Sequence, residues 1–415
     1  MSEKILARAA GRERAQAGEV VTAKVDLVMS HDNAALIGTL FRGIPVRGVF
    51  DSGRMVVTLD HRSPAPDIET ATKAKLVREF VKEQGIRDFY DMKEGICHQV
   101  LPEKGHVLPG MHIVGTDSHT CTYGALGAYS YGVGATEMAA VWASGELWLR
   151  VPETMRIAVE GTLPRGVYAK DVTLEVIRDV GADGADYGAV EYYGSTIEGF
   201  SVPERQTLCN MGIEMGAQAA MVPPDATTRD YLAARGKADL PFLATADPGA
   251  RYRDERRFDV SRLEPRVACP HAVDNVHPVT SVVGKTVDQA FLGSCTNGRV
   301  EDLREAARIL RGRKVHPDVR LIVTPASKTQ MIEAMNDGTM QALMEAGAVV
   351  GTPGCGPCMG AAGGILAPGE RCISSSNRNF KGRMGSSQAE VYLGSPATVA
   401  ASAIEGVIAD PRKYV

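Results

Sequence analysis

Several things are scarce in this chain of 415 residues, and each scarcity excludes something. Excess charge is missing: 46 Lys and Arg against 50 Asp and Glu leave a net charge of −4. Without a cationic field the chain has nothing to hold nucleic acid or an anionic membrane over a broad surface, so neither is expected as a partner. Long apolar runs are missing too. The longest candidate, residues 131–149, is interrupted by Glu137 and Glu146, well short of the ~18 to 20 uncharged residues of a membrane helix. The N-terminus has no apolar core of signal-peptide length and mixes acids among its basic residues, so a cytoplasmic location is expected. Aromatics are few, at 6%. The eight cysteines (Cys97, Cys121, Cys209, Cys269, Cys295, Cys355, Cys358 and Cys372) are too dispersed for a disulfide scaffold. Neither internal repeats nor low-complexity tracts occur.

Glycine is abundant, 44 of 415, which is about 11% against a usual ~7%. At roughly 150 residues per domain the length predicts two or three compact units. Composition places boundaries near Val151-Pro152-Glu153, after a stretch 139–149 that reads as a helix, and in the polar segment 247–265, which reads as a connecting loop. The units are then residues 1–151, 152–270 and 271–415.

Local patterns are clearest in the first and third units. Leu76 and Phe80, with Val77 and Val81, recur at i,i+4 in a helix predicted over 70–84, which Gly85 ends. Residues 111–115 read as a strand feeding Thr116-Asp117-Ser118-His119-Thr120. In the third unit Ala290-Phe291-Leu292 is strand-like, Gly293-Ser294-Cys295-Thr296-Asn297-Gly298 a turn, and 300–310 a helix with acids at its start and bases after its end. A strand over 319–324, a helix over 328–345 and a strand over 348–351 follow, the last running into Gly354-Cys355-Gly356-Pro357-Cys358. Alternating strand and helix predicts a parallel α/β sheet, whose ligands sit beyond the carboxyl ends of its strands.

Cys295, Cys355 and Cys358 each occupy a Gly-rich turn after an apolar strand, so neighbouring strands can bring three thiolates to one point. A structural zinc site would want four protein ligands, and an electron-transfer iron–sulfur cluster normally takes four cysteines. Three thiolates suit a centre with one position left open to a substrate. Asp117-Ser118-His119, Asp60-His61 and His98 form a second set, since a carboxylate beside an imidazole raises its pKa and readies it to give up a proton. Arg378 and Arg383, flanking a polar turn, suit bidentate clamping of carboxylates. Glu214, among small and apolar residues, is either paired with a cation or functional.

Four motifs in order, Gly-Thr-Asp-Ser-His-Thr (115–120), Gly-Ser-Cys-Thr-Asn-Gly-Arg (293–299), Gly-Cys-Gly-Pro-Cys-Met-Gly (354–360) and Asn-Arg-Asn-Phe-Lys-Gly-Arg (377–383), resemble the aconitase superfamily. Within it the chain is similar to the large subunits of the two-subunit enzymes, 3-isopropylmalate dehydratase and homoaconitase. The resemblance implies a three-domain α/β large subunit, each domain a mixed or parallel sheet flanked by helices, around one central 4Fe–4S cluster. Cys295, Cys355 and Cys358 would be its ligands, with the fourth iron free of protein ligands. It further implies a hydro-lyase that dehydrates and rehydrates a 2-hydroxy di- or tricarboxylic acid. Asp117 and His119 would form the proton-donating side, with Asp60, His61 and His98 in a supporting network, and Glu214 would bond to the iron-bound water or hydroxyl. His31, Ser118, Arg378 and Arg383 would hold the substrate, and Asn210, Asn297 and Asn377 would contact the cluster.

The fourth, swivelling domain of single-chain relatives is not found in this sequence. A small subunit carrying that domain and its catalytic serine is therefore expected as partner. Ser30-His31-Asp32-Asn33 keeps the His-Asp of the dehydratases without their Thr-Gly-Pro continuation, and Asp60-His61 is followed by Arg62-Ser63-Pro64-Ala65-Pro66. Both departures flank the expected substrate side. Isopropylmalate, as used in leucine biosynthesis, is the first expectation for the substrate; homocitrate, methylmalate and dimethylmalate types are its competitors. An iron-sensing, RNA-binding role of the cluster-free chain and a pure electron carrier are the non-catalytic alternatives.

Overall fold

The computed structural model describes residues 1–240 and 242–415. Three α/β layers and a small ribbon make up the chain, with the carboxyl ends of strands from the first and third sheets meeting at one place. The first sheet is wholly parallel, in the order Asp88–Tyr90, Met55–Thr58, Leu27–Ser30, His112–Gly115, Tyr129–Gly132. Sequence order reverses between Leu27–Ser30 and His112–Gly115, and a crevice opens where strands diverge in this way. Those two strands deliver Ser30-His31-Asp32 and Thr116-Asp117 to its two walls. Met55–Thr58, next to them, delivers Asp60-His61.

A second parallel sheet runs Ala219–Met221, Ala189–Tyr193, Thr154–Glu160, Asp254–Asp259. The third has seven strands; its parallel part is ordered Glu390–Leu393, Arg371–Ser374, Gln289–Gly293, Arg320–Thr324, Val349–Val350. Here too the order reverses, between Gln289–Gly293 and Arg371–Ser374, and the loops after these strands hold Cys295 and Asn377. Arg266–Ala268, on the near side of the expected 270/271 boundary, already pairs in this third sheet.

Local chemistry sets the elements. Asp67 caps the helix Ile68–Gln84 by accepting from Thr70 N at 2.7 Å, and Gly85 ends it at φ +66°. Leu76 on that helix is exposed, however, and Val77, Phe80 and Val81 carry its buried face. In the helix Val300–Leu310, Leu303, Ala307 and Leu310 are fully buried, each leucine worth ~1.5 to 3 kcal/mol of burial.

Three sequence expectations change. The stretch 139–149 is not one helix: Ala135–Ser144 ends at Gly145 in the left-handed conformation, and Glu146–Arg150 turns back as a strand antiparallel to Val20–Lys24. The expected loop 247–265 contains the edge strand Asp254–Asp259, whose charged side chains suit a sheet margin facing water. The helix expected over 328–345 is two, Lys328–Asn336 and Thr339–Ala346, divided by Gly338 at φ +79°. Among the described residues no helix is long and apolar enough to cross a membrane.

The first and third sheets are held at close range by glycines. A Cβ on Gly95 would lie 2.4 Å from the Ala326 carbonyl oxygen, and one on Gly354 2.8 Å from that of Asp60. Backbone bonds Ile96 N to Ala326 O (2.8 Å) and Cys355 N to Asp60 O (3.2 Å) cross the same seam.

Candidate active site

Asp117, at the start of the turn of helix Ser118–Leu126, gathers three imidazoles. Its Oδ1 accepts from His98 Nε2 at 2.7 Å and lies 3.4 Å from His119 Nδ1, while Oδ2 lies 3.3 Å from His61 Nε2. His61 Nδ1 meets Asp60 Oδ1 at 2.8 Å, and the other Asp60 oxygen accepts from Cys97 N at 2.6 Å. On the far side His119 Nε2 meets Glu214 Oε1 at 3.0 Å, and Arg378 Nε donates to that oxygen at 2.7 Å. The result is one buried chain of alternating acid and base from Asp60 to Arg378. It spans all three units.

Charge is unevenly shared along the chain. Burial works against His61, but the Asp60 carboxylate and Asp117 raise it well above the ordinary imidazole value. Burial and the Arg378 guanidinium oppose protonation of His119, yet Asp117 and Glu214 raise it as well. Burial would lift Asp117, but its bonds to His119, His61 and His98 hold it well below the usual carboxylate range. Asp60 is likewise held down against burial, by His61. Burial lowers His98. It also lowers His31, helped by the His61 charge, since the two rings stack with centroids 4.1 Å apart. Proton affinity is therefore raised at His61 and His119 and lowered at His31 and His98.

Cys295, Cys355 and Cys358 are all buried beside this chain. Ser294, just before Cys295, holds a left-handed backbone at φ +77°, a conformation costing a non-glycine residue ~1 to 2 kcal/mol. Ser375 fastens the loop at both ends: its Oγ accepts from Gly293 N at 3.0 Å and donates to Asn297 O at 3.1 Å. Donors converge on the sulfurs. Asn210 Nδ2 lies 3.2 Å and Asn377 Nδ2 3.6 Å from Cys295 Sγ, and an Arg383 N–H lies 3.7 Å from Cys358 Sγ. Burial raises the lone Cys295 thiol to about 12, so a thiolate there calls for a cation. Three buried sulfurs with amide and guanidinium N–H groups aimed at two of them fit an anionic metal–sulfur group. Of the remaining cysteines, Cys121 Sγ donates to the Asn210 carbonyl at 3.4 Å, and Cys372 lies within a strand.

His31, Asp32, Asp60 and His61 also place their ligand atoms within 4.8 Å of one another. All four make other contacts, although the buried His31 Nδ1 has no hydrogen-bond partner among the described residues. Asp32 accepts from the backbone N–H groups of Asp60, His61 and Arg62, and His31 Nε2 meets Thr116 O at 3.0 Å. Through Asp32 and Asp60 this set supports His61.

Two sequence-assigned residues stand apart from the rest. Asn297 turns its amide to Asp302 Oδ1 (2.8 Å) and Thr207 Oγ1 (3.3 Å), so its bonds go to a helix start and not to sulfur. Ser118 lines a different cavity, of ≈ 420 Å³, with Tyr131, Ile213 and Gln218. Sequence reasoning also missed contributors. Asp32 had a signal in its place beside His31 at a strand end. Arg299 lies inside the Cys295 motif; its guanidinium, 1% exposed, donates to the carbonyls of Cys295 and Thr296 at 2.6 Å each and to Gln99 Oε1 at 3.1 Å. It thereby ties the cysteine loop to the helix bearing His98. Beside His31, His61 and Met359 opens a cavity of ≈ 500 Å³ walled by Ala35, Leu36, Ala74 and Leu76.

Comparison with known proteins adds the following. The chain matches the Aconitase family (aconitate hydratase) over residues 3–286 and 280–406. It is 55% identical to the 3-isopropylmalate dehydratase large subunit 1 of Methanopyrus kandleri, covering 100% of this chain and 99% of that one. Identity is 52% to the probable methanogen homoaconitase large subunit of Methanothermobacter thermautotrophicus (100% and 97% covered) and 49% to the 3-isopropylmalate dehydratase large subunit of Aquifex aeolicus (100% and 97%). Among solved structures, the holo form of Thermococcus kodakaraensis aconitase X covers 86% of this chain and 84% of its own at a TM-score of 0.49 and 14% identity.

Proposed function

Since this chain belongs to the aconitase family and is a hydro-lyase, we infer that it is the cluster-bearing large subunit of a cytoplasmic 3-isopropylmalate dehydratase. The observation that carries this reading is the meeting of two constellations in one place: three buried sulfurs, two of them facing N–H donors, and an Asp–His–Glu–Arg chain. Cys295, Cys355 and Cys358 would hold the 4Fe–4S cluster. When bound, that cluster supplies Lewis acidity that makes hydroxide a tolerable leaving group.

The chain's own residues account for the rest. His119, kept cationic by Asp117 and Glu214, gives its proton to the departing hydroxyl oxygen. Asp117 holds the ring in place and stabilises its charge before transfer. Arg378 and Arg383 engage carboxylate oxygens, because guanidinium groups match them bidentately. Arg378 is only one-fifth exposed, and Glu214 keeps it aimed. Asp60 and His61, fixed by Asp32, hold Asp117 as the carboxylate that orients His119. The base that takes the carbon-bound proton is a serine of a small subunit, in keeping with relatives named as large subunits. Rehydration reverses these roles with hydroxyl added to the neighbouring carbon.

Support for an alkyl-bearing substrate comes from the ≈ 500 Å³ cavity beside His61, whose walls Ala35, Leu36, Ala74 and Leu76 are apolar. Its Lys73 is held by Glu69, leaving exposed Arg62 as the other cation. A second carboxylate, as in homocitrate, would find less to pair with there. The test is anaerobic reconstitution with iron and sulfide beside the small subunit, then a screen of 2-hydroxy diacids for ultraviolet absorbance of the alkene. Preference for isopropylmalate is expected; turnover of homocitrate alone would overturn the substrate assignment.

A further inference from the structure

Lys170 is the buried ionisable group that the reaction above does not use. It lies in the first turn of the helix Ala169–Val180, 0% exposed. No carboxylate bonds to it: its Nζ donates to the backbone carbonyl oxygens of Ser375 (3.0 Å) and Ser376. Burial lowers its pKa to about 7, so keeping an ammonium here is costly. The neighbouring Asp171 accepts from Arg266 N at 2.7 Å, and the two residues together fasten this helix end to the third sheet.

What the ammonium holds gives it a role. Ser375 is the residue whose hydroxyl ties Gly293 and Asn297 at the two ends of the Cys295 loop. Immediately after Ser376 come Asn377, aimed at Cys295 Sγ, and Arg378, bonded to Glu214. We propose that Lys170 is a positioning residue, whose ammonium locks the Ser375-Ser376 peptides so that the Cys295 loop, Asn377 and Arg378 stand in register with one another. An alkyl side chain cannot do this, because two carbonyls converging on one buried point need a donor with several N–H bonds to share.

Its surroundings also offer a way to test it. Lys170 borders a cavity of ≈ 310 Å³ with Thr207, Asn297, Asp302 and the exposed Glu301, so a small ammonium ion can reach the space a shortened side chain leaves. Hydrogen exchange is measured by mass spectrometry on the cluster-free chain, with Lys170→Ala and Lys170→Met. Peptides covering 293–297 and 375–378 are expected to exchange about tenfold faster or more, the scale of lost charge-assisted hydrogen bonds. Propylammonium restores protection in Lys170→Ala and propanol of the same size does not. With the reconstituted pair the same variant raises KM more than it lowers kcat, since Arg378 binds carboxylate.

Unchanged exchange in a folded Lys170→Met, or equal rescue by propanol, overturns the proposal. Should both variants fail to fold, Lys170→Arg keeps the charge; failure of that variant too assigns Lys170 to folding alone and equally overturns it. The inference rests on the proposed site, but the exchange readout needs neither cluster nor turnover. An inactive wild-type pair would sink the assigned reaction and leave the exchange result standing.

Discussion

Replacing Glu214 with Gln removes one negative charge from between two cations. Glu214 Oε1 lies 3.0 Å from His119 Nε2 and 2.7 Å from Arg378 Nε, with its side chain 7% exposed. Two unit charges about 4 Å apart interact by ~4 kcal/mol at an effective dielectric of ~20. Losing that interaction lowers the proton affinity of His119. Asp117 still raises His119 from the other nitrogen, but Arg378, now without its counter-charge, lowers it. His119 should therefore give up its proton at lower pH than in the wild type. A general acid contributes ~10² to 10⁴ in rate, so Glu214→Gln should lose about that factor in kcat at neutral pH. The alkaline limb of its pH profile should move to lower pH. Nitrogen NMR of the His119 ring in the cluster-free chain reads the shift directly. A folded variant whose His119 titrates as in the wild type would refute the electrostatic link between Glu214 and the proton donor.

Other consequences can be checked on the same material. Asp60 and Asp117 are held below their unfolded values, so their stabilisation is present above the ordinary carboxylate pKa and is lost as pH falls through the folded values. His61 and His119 are raised; theirs is complete below the ordinary imidazole value and is lost as pH rises through the folded pKa. Denaturant unfolding across pH should show both slopes, and Asp60→Asn should flatten them and cost ~1 to 3 kcal/mol near neutrality by leaving buried His61 with Asp117 as its remaining carboxylate. Gly124→Ala puts a Cβ 1.8 Å from the Ala220 carbonyl oxygen and should destabilise by about 3 kcal/mol or more, read as a lower unfolding midpoint. After reconstitution, iron per chain should collapse in Cys295→Ser and persist in Cys372→Ala.

How much of this was legible beforehand depended on how local each signal was. The cysteine trio could be read because its members sit in two strand-turn sequences, and parallel sheets put such turns at one edge. The Asp117 and Asp60 pairs were visible as pairs, but their union through a single carboxylate is set by strand order, with Leu27–Ser30 central and its neighbours on either side. Asn297 neighbours Cys295 in sequence, yet its amide bonds to Asp302, a contact set by the fold that sequence adjacency does not reveal. Glu146–Arg150 looked helical because five residues carry no period of their own once Gly145 has ended the helix before them. Asp254–Asp259 looked like a loop because an edge strand with wet faces needs few apolar residues. Lys170 gave no sign at all, since its partners are carbonyls about two hundred residues away.

The measurement that bears most directly on dehydration and rehydration at this site is turnover in heavy-oxygen water. The reconstituted chain with its small subunit is given unlabelled 2-isopropylmalate, and the 3-isopropylmalate formed is examined by mass spectrometry. Departure of the hydroxyl as water and its replacement from solvent predict heavy oxygen in the product hydroxyl, with the free alkene detectable in between. Isomerisation that retained the original oxygen, or a fully cluster-loaded pair that released no alkene, would contradict the assignment of Asp117, His119 and Glu214 as the proton-delivering side of a hydro-lyase.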